Sequence, residues 1–364
     1  MTVVTGSAAA DLDSIVASVA YAYLLDREGE TAGPVFPYLP IPRADLPLRT
    51  EVVRLFDREG VREGILLFSD DVDLVKLLEA RESELVLVDD QGNDLATPLC
   101  ERIAEVIDHH RLLPREAVED SVGRYFRQPL RRRIVEPVGS ACTLVAEQIL
   151  QRESGILDRQ LATLLLAAVL LDTVNLDPQA GRVTDKDRKI AELLIQAGSV
   201  DPAGLYEELV RARSDVEGRS SRQLLGRDYK EGSSGGVRFG MSSVPLLLDC
   251  WNRRDRRIAE AISGFLEEKE LDLLVVFLYR HGRVFKRQLV FCGAEEKLVT
   301  DVASRLAGPL GLTQMPMMED EKRAVQSPRR DGGRAVVVLG FAQGNSGESR
   351  KRIEPRIREV LENR

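Results

Sequence analysis

Two short motifs in the first third of the chain carry side chains that can bind a divalent cation. Asp11 and Asp13 are one residue apart, directly before a predicted helix that opens at Ser14. Two carboxylates there can face a common point, and the amino terminus of a helix attracts anions. The alternative is a solvated turn in which a carboxylate caps the helix. The pair alone leaves both interpretations open.

The second motif is Asp108-His109-His110, which holds two of the three histidines of the chain. Imidazole suits manganese, zinc or cobalt, and carboxylate suits magnesium or manganese. A mixed shell therefore indicates a divalent cation that activates water. Adjacent surface histidines without a function are the alternative for this triplet taken alone.

Two further acidic residues each end an apolar run. Asp89 closes the run LVLVD, and Asp172 closes the run LLLAAVLLD. Buried carboxylates that converge without a cation repel one another, so a metal would explain how they coexist. Motifs for phosphate loops, serine hydrolases, zinc proteases and nicotinamide binding are absent from the sequence.

The first half of the chain alternates β-branched or Leu-rich runs with helical patterns, which predicts βαβ units and a parallel sheet. Several predicted strands end in or just before acidic residues, and ligands of open α/β sheets bind outside the carboxyl ends of the strands. We predict strands over Thr2–Thr5, Gly64–Phe68, Glu84–Asp89 and Ala104–Asp108, a buried helix over Leu161–Leu171 and a capped helix from Thr184.

The stretch Gly198–Pro202 predicts a domain boundary, with domains 1–198 and 203–364. The fold class expected is α/β, with an amino-terminal doubly wound, mainly parallel sheet and a smaller carboxy-terminal α+β domain. For the second domain we predict a basic helix around Arg211, a loop Glu231–Gly236, a strand Val237–Ser243, a long helix to about Glu268, a hairpin turning at His281, a loop Thr313–Arg334, a strand Ala335–Phe341 and a helix Arg350–Asn363.

Composition limits the classes of partner. A net charge of −8 over 364 residues argues against general affinity for duplex nucleic acid or anionic membranes. The longest apolar run, Leu164–Leu171, is shorter than the roughly 20 residues of a membrane helix. The start of the chain predicts a strand and not a signal peptide, and four scattered cysteines indicate a cytoplasmic protein with free thiols. The arginine-rich stretch Arg124–Arg133 predicts a solvated loop or edge strand, or a guide for a polyanion if it borders the site.

Taken together, the four acidic motifs resemble those of the DHH phosphoesterase superfamily. The segment Gly344–Arg352, with its SRK triplet, resembles the DHHA2 domain of family II inorganic pyrophosphatases and of prune-type and yeast-type short-chain exopolyphosphatases. Glu136–Ser140 also matches these proteins, and prune-type proteins are the most similar through GSACTLV, ILDRQ and the QGN…SRK ending. The absence of a GGGH element disfavours the DHHA1 branch.

The resemblance implies an exopolyphosphatase that uses two divalent ions, magnesium or manganese, to activate water against short-chain polyphosphate such as tri- or tetraphosphate. It implies an active site in the cleft between the domains. It makes Asp89 the bridging ligand and, with His110, a catalytic residue. The metal ligands it implies are Asp11, Asp13, Asp89, His109 and Asp172, and the phosphate-binding residues are His110, Arg211, Arg350 and Lys351.

Departures from the family pattern keep alternatives open. Ser7 stands where family II pyrophosphatases have His and prune-type enzymes usually Asn, which predicts weaker binding of one ion and a shift from manganese towards magnesium. Asp90 stands where relatives generally have His, and Arg211 replaces a Lys. The alternatives are a pyrophosphatase, a cyclic-nucleotide phosphodiesterase, or a weakly active prune-type scaffold whose protein partners are implied by the resemblance only.

Overall fold

The computed structural model describes residues 1–29, 31, 33–79, 83–92, 95, 97–110, 130–280, 285–315, 336–345, 348 and 350–364. The chain divides into two compact units, Met1–Arg213 and Ser214–Arg364. The strands of the first unit are β1 Thr2–Thr5, β2 Val35–Leu39, β3 Leu67–Phe68, β4 Glu84–Val88, β5 Ile103–Asp108 and β6 Arg132–Val135. Its helices are α1 Leu12–Glu28, α2 Thr50–Glu59, α3 Leu74–Glu79, α4 Thr97–Cys100, α5 Ala141–Arg152, α6 Arg159–Asp172, α7 Asp185–Gly198 and α8 Pro202–Arg213.

The six strands of the first unit form one parallel sheet in the order β3-β2-β1-β4-β5-β6. Alternate strand residues enter opposite cores, as Val3 and Val4 of β1 show. Helices α1, α2 and α5 to α8 contribute to one core, and α3 and α4 to the other. The predicted doubly wound parallel sheet is therefore confirmed. The strand order reverses between β1 and β4, and in such sheets the crevice for ligands lies at that reversal.

Helix α6 is apolar on all sides and is buried along its length from Leu161 to Leu171, as its sequence predicts. Asp158 caps its amino terminus by accepting a hydrogen bond from the backbone N–H of Leu161. The helix packs against α1, α2, α5, α7 and α8. Its last residue is Asp172, so the core of the unit fixes where that carboxylate emerges.

The strands of the second unit are β7 Tyr229–Ser234, β8 Val237–Val244, β9 Leu273–Arg280, β10 Lys286–Gly293, β11 Leu312–Gln314 and β12 Val337–Gln343, and its helices are α9 Ser221–Gly226, α10 Leu248–Arg254, α11 Ile258–Glu268, α12 Glu296–Leu310 and α13 Arg350–Glu362. The strands form a mixed sheet in the order β11-β12-β10-β9-β8-β7, in which only β8 and β9 pair in parallel. Apolar clusters cover both faces of this sheet, one containing α12 and α13 and the other α9 and α11. The predicted hairpin is present as β9 and β10.

Three local predictions are wrong. The predicted loop Glu231–Gly236 is mostly strand β7, which pairs only with β8 among the described residues and lacks the apolar alternation of a strand with a buried face. The predicted long helix is two helices, because the chain breaks at Asp255, whose carboxylate accepts from the backbone N–H of Arg257. The predicted strand Gly64–Phe68 shortens to Leu67–Phe68, because Glu63–Ile65 form a single helical turn.

Helix α8 extends the first unit beyond the predicted boundary at Gly198–Pro202, because Leu205 and Leu209 are buried in the core of that unit. No helix among the described residues is long and apolar enough to cross a membrane. All four cysteines are free thiols. Predictions for His281, for residues 124–129 and for most of the loop Thr313–Arg334 lie outside the described residues.

Candidate metal centre

The turn from β1 into α1 places the first acidic motif at the carboxyl edge of the sheet. Asp11 is the N-cap of α1, and its Oδ1 accepts a hydrogen bond from the backbone N–H of Ser14 at 3.1 Å. The buried guanidinium of Arg49 donates to the carbonyl of Ala9 at 3.0 Å and so holds the loop that precedes Asp11. Both features fix the local backbone of the motif.

Asp13 lies in the first turn of α1, and its carboxylate is buried against the amino terminus of α5. It accepts hydrogen bonds from Ser140 Oγ at 2.6 Å, from Ala141 N at 2.7 Å and from Cys142 N at 3.0 Å. These three hydrogen bonds hold the Asp13 carboxylate in one orientation at the start of α5.

Asp89 directly follows β4 and has a left-handed backbone conformation with φ of 55°, which Asp tolerates better than most residues. Its carboxylate is buried, and Ser14 Oγ donates a hydrogen bond to Asp89 Oδ2. The same Ser14 Oγ lies 3.2 Å from Ser7 Oγ. Ser7, one of the positions at which the sequence departs from the pattern that it resembles, thus contacts the hydroxyl that donates to Asp89.

His109 follows the end of β5, and its Nδ1–H donates to the carbonyl of Val138 at 2.9 Å. Because a carbonyl can only accept, Nδ1 carries a proton, and Nε2 is the ring nitrogen that faces the acidic residues. That Nε2 lies 3.1 Å from Asp89 Oδ1 and 3.8 Å from Asp13 Oδ2. An imidazole nitrogen beside two carboxylates is a set of ligand atoms that fits a cation.

His110 is oriented by Asp108, the fully buried last residue of β5. His110 Nδ1 lies 2.7 Å from Asp108 Oδ1, and Gln91 Nε2 donates to Asp108 Oδ2 at 2.7 Å. Burial would raise the pKa of Asp108, but the hydrogen bonds from His110 and Gln91 leave that pKa below its usual value. Asp108 is therefore an anion that fixes His110.

The potential metal ligands form two overlapping groups, Asp89–His109–His110 and Asp13–His109–Asp172, and within each the ligand atoms lie within 4.8 Å of one another. We call these five residues the candidate metal centre. Carboxylate oxygen and imidazole nitrogen together suit manganese, magnesium or zinc, so the residues present fit a divalent ion. Asp11 belongs to neither group.

The other predicted site residues have different surroundings. Arg211 is exposed near the end of α8. Arg350, in the second unit, is bound to Asp228, with Nη2 2.7 Å from Oδ1 and Nη1 donating to the carbonyl at 2.8 Å. Lys351 follows it in α13. Asp90 Oδ1 accepts from the backbone N–H of Gly92 at 2.8 Å and so caps a turn.

Sequence reasoning missed the residues that orient the centre. The sequence marks Ser14 only as the start of a helix, but its hydroxyl contacts Asp89. Ser140 and Val138 lie in the stretch Glu136–Ser140, and they contact Asp13 and His109. A Ser before a helical pattern is a cap signal, and that signal was available for Ser140.

Comparison with known proteins gives the family. The family model for the DHH family, N-terminal domain, matches residues 1–169, and the model for the DHHA2 domain matches residues 207–360. The human protein Exopolyphosphatase PRUNE1 is 32% identical over 368 residues, which cover 99% of this chain and 75% of the human protein. This chain belongs to the DHH family, in the branch with a DHHA2 domain.

The chain is also similar, at lower identity, to proteins named as pyrophosphatases. A manganese-dependent inorganic pyrophosphatase of Methanothrix thermoacetophila is 25% identical over 279 residues, 76% of this chain and 80% of that protein. The crystal structure of a candidate family II inorganic pyrophosphatase from Methanococcus jannaschii superimposes with a TM-score of 0.64 over 99% of both chains, at 19% identity. The last similarity shows that the two-domain fold is shared.

Proposed function

We propose that this protein is a metal-dependent phosphoanhydride hydrolase that removes phosphate from short inorganic polyphosphate, such as tri- and tetraphosphate. The observation that carries the proposal is the convergence of Asp13, Asp89, His109, His110 and Asp172 at the carboxyl edge of a parallel sheet. The similarity to human Exopolyphosphatase PRUNE1 supports the substrate class. A cytoplasmic location stays a prediction from the sequence. Binding to protein partners stays a prediction that rests on the family resemblance only.

Two divalent ions, magnesium or manganese, are part of the proposal because the family resemblance implies them, and the two groups of candidate ligands share His109. We propose Asp11, Asp13, Asp89, His109 and Asp172 as the ligands, with Asp89 shared. When bound, such ions neutralise phosphoryl charge and lower the pKa of a water molecule. The carboxylates of Asp13 and Asp89 and Nε2 of His109 would supply ligand atoms.

The residues of the chain have separate tasks in this proposal. Asp108 accepts from His110 Nδ1, so Nε2 is the nitrogen of His110 that faces a phosphoryl oxygen. We propose that Arg211, Arg350 and Lys351 bind the anionic substrate, since arginine matches phosphate with two parallel hydrogen bonds and lysine supplies a point charge. The contacts of Arg350 with Asp228 hold its guanidinium in one orientation.

The direct test measures phosphate release from tri- and tetraphosphate with magnesium, with manganese and with EDTA. We expect metal-dependent release by the wild type and its loss, by about three orders of magnitude or more, in Asp172→Asn, which removes one charge from the metal centre. Asp177→Asn is the matched control, because Asp177 caps a turn nearby and belongs to neither ligand group. Absence of metal-dependent release from both substrates would contradict the proposal.

A pyrophosphatase is the second candidate, favoured by the similarity to the Methanothrix enzyme and by the shared fold. Ser7, which stands where family II pyrophosphatases have His, disfavours it. Turnover of pyrophosphate, tripolyphosphate and cyclic AMP by the same preparation separates the candidates. If pyrophosphate or cyclic AMP is turned over fastest, the corresponding candidate function takes first place. If none of the three substrates is turned over but the protein still binds a protein partner, a scaffold is favoured.

A further inference from the structure

A buried carboxylate outside the candidate metal centre, Asp187, binds the chain segment 138–143. Asp187 is completely buried in the first turn of α7. Its Oδ2 accepts from the backbone N–H of Gly139 at 2.8 Å, and from the N–H and the hydroxyl of Thr184 at 2.7 Å each. Its Oδ1 accepts from Thr143 Oγ1 at 2.6 Å. The carboxylate therefore joins the start of α7 to both ends of the segment.

The other side of the same segment contacts two members of the metal centre. The carbonyl of Val138 accepts from His109 Nδ1–H at 2.9 Å. Ser140 Oγ and the backbone N–H groups of Ala141 and Cys142 all donate to Asp13. Segment 138–143 thus lies between Asp187 on one side and His109 and Asp13 on the other.

The segment has no room to shift at Gly139. A Cβ atom there would lie 2.4 Å from Thr173 Cγ2, 2.9 Å from the carbonyl oxygen of Arg182 and 2.9 Å from Asp187 Oδ2. Thr173 is fully buried and directly follows Asp172. A displacement of the segment would therefore also disturb the residue next to a third member of the centre.

We propose that Asp187 is a positioning residue of the metal centre. Through Gly139 N–H and the Thr143 hydroxyl it fixes the Val138 carbonyl, which sets the Nδ1–H tautomer and the ring orientation of His109. It also fixes the start of α5, which orients Asp13. The inference rests on the proposed function only in requiring that this centre binds divalent ions. Removal of groups that orient a histidine ligand typically lowers metal affinity about 10- to 100-fold.

The test is calorimetric titration of the metal-free full chain with manganese. We expect Asp187→Ala to lower the affinity about tenfold, because Gly139 N–H and Thr143 lose their acceptor. Asp187→Asn should keep the manganese affinity within about threefold of the wild type. Its amide oxygen can still accept from the Gly139 N–H, while its amide nitrogen faces the rotatable Thr143 hydroxyl. Asp158→Ala removes a comparable helix cap without contact to segment 138–143, and should leave the affinity unchanged.

A second readout does not depend on metal. Nitrogen NMR of the metal-free protein reports the His109 tautomer, and we expect Nδ1–H in the wild type and in Asp158→Ala but a mixture in Asp187→Ala. If Asp187→Ala does not fold, Thr143→Val replaces it, with an expected loss in affinity of about threefold.

Two results would overturn the inference while leaving the proposed function intact. One is a folded Asp187→Ala with unchanged manganese affinity and an unchanged His109 tautomer. The other is a loss of manganese affinity in Asp158→Ala that equals the loss in Asp187→Ala. A wild type that takes up no manganese or magnesium would instead reject the proposed function, and the tautomer would then decide whether Asp187 orients His109.

Discussion

Ser7 is buried, and its hydroxyl lies 3.2 Å from Ser14 Oγ, which in turn donates to Asp89. An imidazole at this position would bring a softer nitrogen ligand next to the metal centre. We expect Ser7→His to raise the affinity for manganese relative to magnesium by about tenfold, which equals about 1.4 kcal/mol. Titration of the metal-free protein with each ion measures the ratio.

Ser7→Asn is the control for this prediction, because it adds bulk and a polar group without an imidazole. The thermal unfolding of both variants must resemble that of the wild type, since the site is buried and larger side chains need room. A folded Ser7→His with the manganese-to-magnesium ratio of the wild type would show that position 7 does not reach the ions.

Gly139 gives a prediction about stability at a single residue. A Cβ there would overlap Thr173 Cγ2 and the Arg182 carbonyl, and a backbone atom cannot move aside without moving its neighbours. We expect Gly139→Ala to lower the free energy of unfolding by about 2 kcal/mol, within the range for overpacked cores. Gly64→Ala, at a site where no atom lies within 4 Å of the added Cβ, should change it by less than about 0.5 kcal/mol. Urea unfolding compares the two, and equal effects would contradict the crowding argument.

At the scale of elements, ion pairs connect helices α2 and α8. Both Arg54 and Arg58 of α2 donate to the carboxylate of Glu208 in α8. Burial would raise the pKa of Glu208, but the hydrogen bonds from the two arginines outweigh it and lower the pKa below 4.5. A carboxyl group whose pKa is lowered by folding stabilises the protein above its unfolded pKa, and this contribution disappears as the pH falls through the folded pKa.

Glu208→Gln should therefore lower the free energy of unfolding by about 0.5 to 1 kcal/mol at about pH 7, where partly exposed pairs have this value. The difference from the wild type should shrink between about pH 7 and about pH 3, as the pH falls below the unfolded pKa and towards the lowered folded pKa of Glu208. Glu207→Gln is the control, because Glu207 is an exposed neighbour on the same helix. A difference that stays constant between the two pH values would show that charge is not the cause.

The elements differ in how far the sequence predicts them. Helix α6 was predicted closely, because a run that is apolar all round between Asp158 and Asp172 has few alternatives. Strand β7 was mistaken for a loop, because an edge strand with exposed residues carries no apolar alternation. Strand β2 and helix α2 were not predicted at all, although Val35–Leu39 sits second from the sheet edge and α2 packs on α8.

The candidate site shows the same limit. Residue type and position at the ends of strands and helices are enough to select Asp13, Asp89, His109 and Asp172 as candidates. The residues that orient them come from distant parts of the chain, as in the contact of Asp13 with Ala141, which are 128 positions apart. Such pairs leave no periodic pattern in one sequence, because only the packing of α1 on α5 brings them together.

At the scale of the whole molecule, the candidate metal centre and two of the proposed substrate-binding residues lie in different compact units. All five members of the candidate metal centre lie in the first unit, Met1–Arg213. Arg350 and Lys351, proposed to bind substrate, lie in the second. Uptake of metal should therefore stabilise the first unit directly, and loss of Arg350 or Lys351 should leave metal affinity unchanged while it weakens substrate binding.

The single tryptophan makes the direct effect of metal on the first unit measurable in the full chain. Trp251 is completely buried in the second unit, where its Nε1–H donates to Ser221 Oγ at 2.9 Å. Its fluorescence therefore reports unfolding of the second unit, whereas far-ultraviolet circular dichroism reports both. An ion present at 100 times its dissociation constant stabilises the state that binds it by about 2.7 kcal/mol.

We expect manganese to raise the midpoint of the unfolding transition that circular dichroism detects. The midpoint of the transition that Trp251 fluorescence detects should stay unchanged. EDTA should reverse the shift, and Asp172→Asn should abolish it because the centre loses a charged ligand. A shift of both transitions by the same amount would show that the units unfold together. No shift in either would mean that the acidic and imidazole groups of the first unit do not bind the ion, whatever their distances.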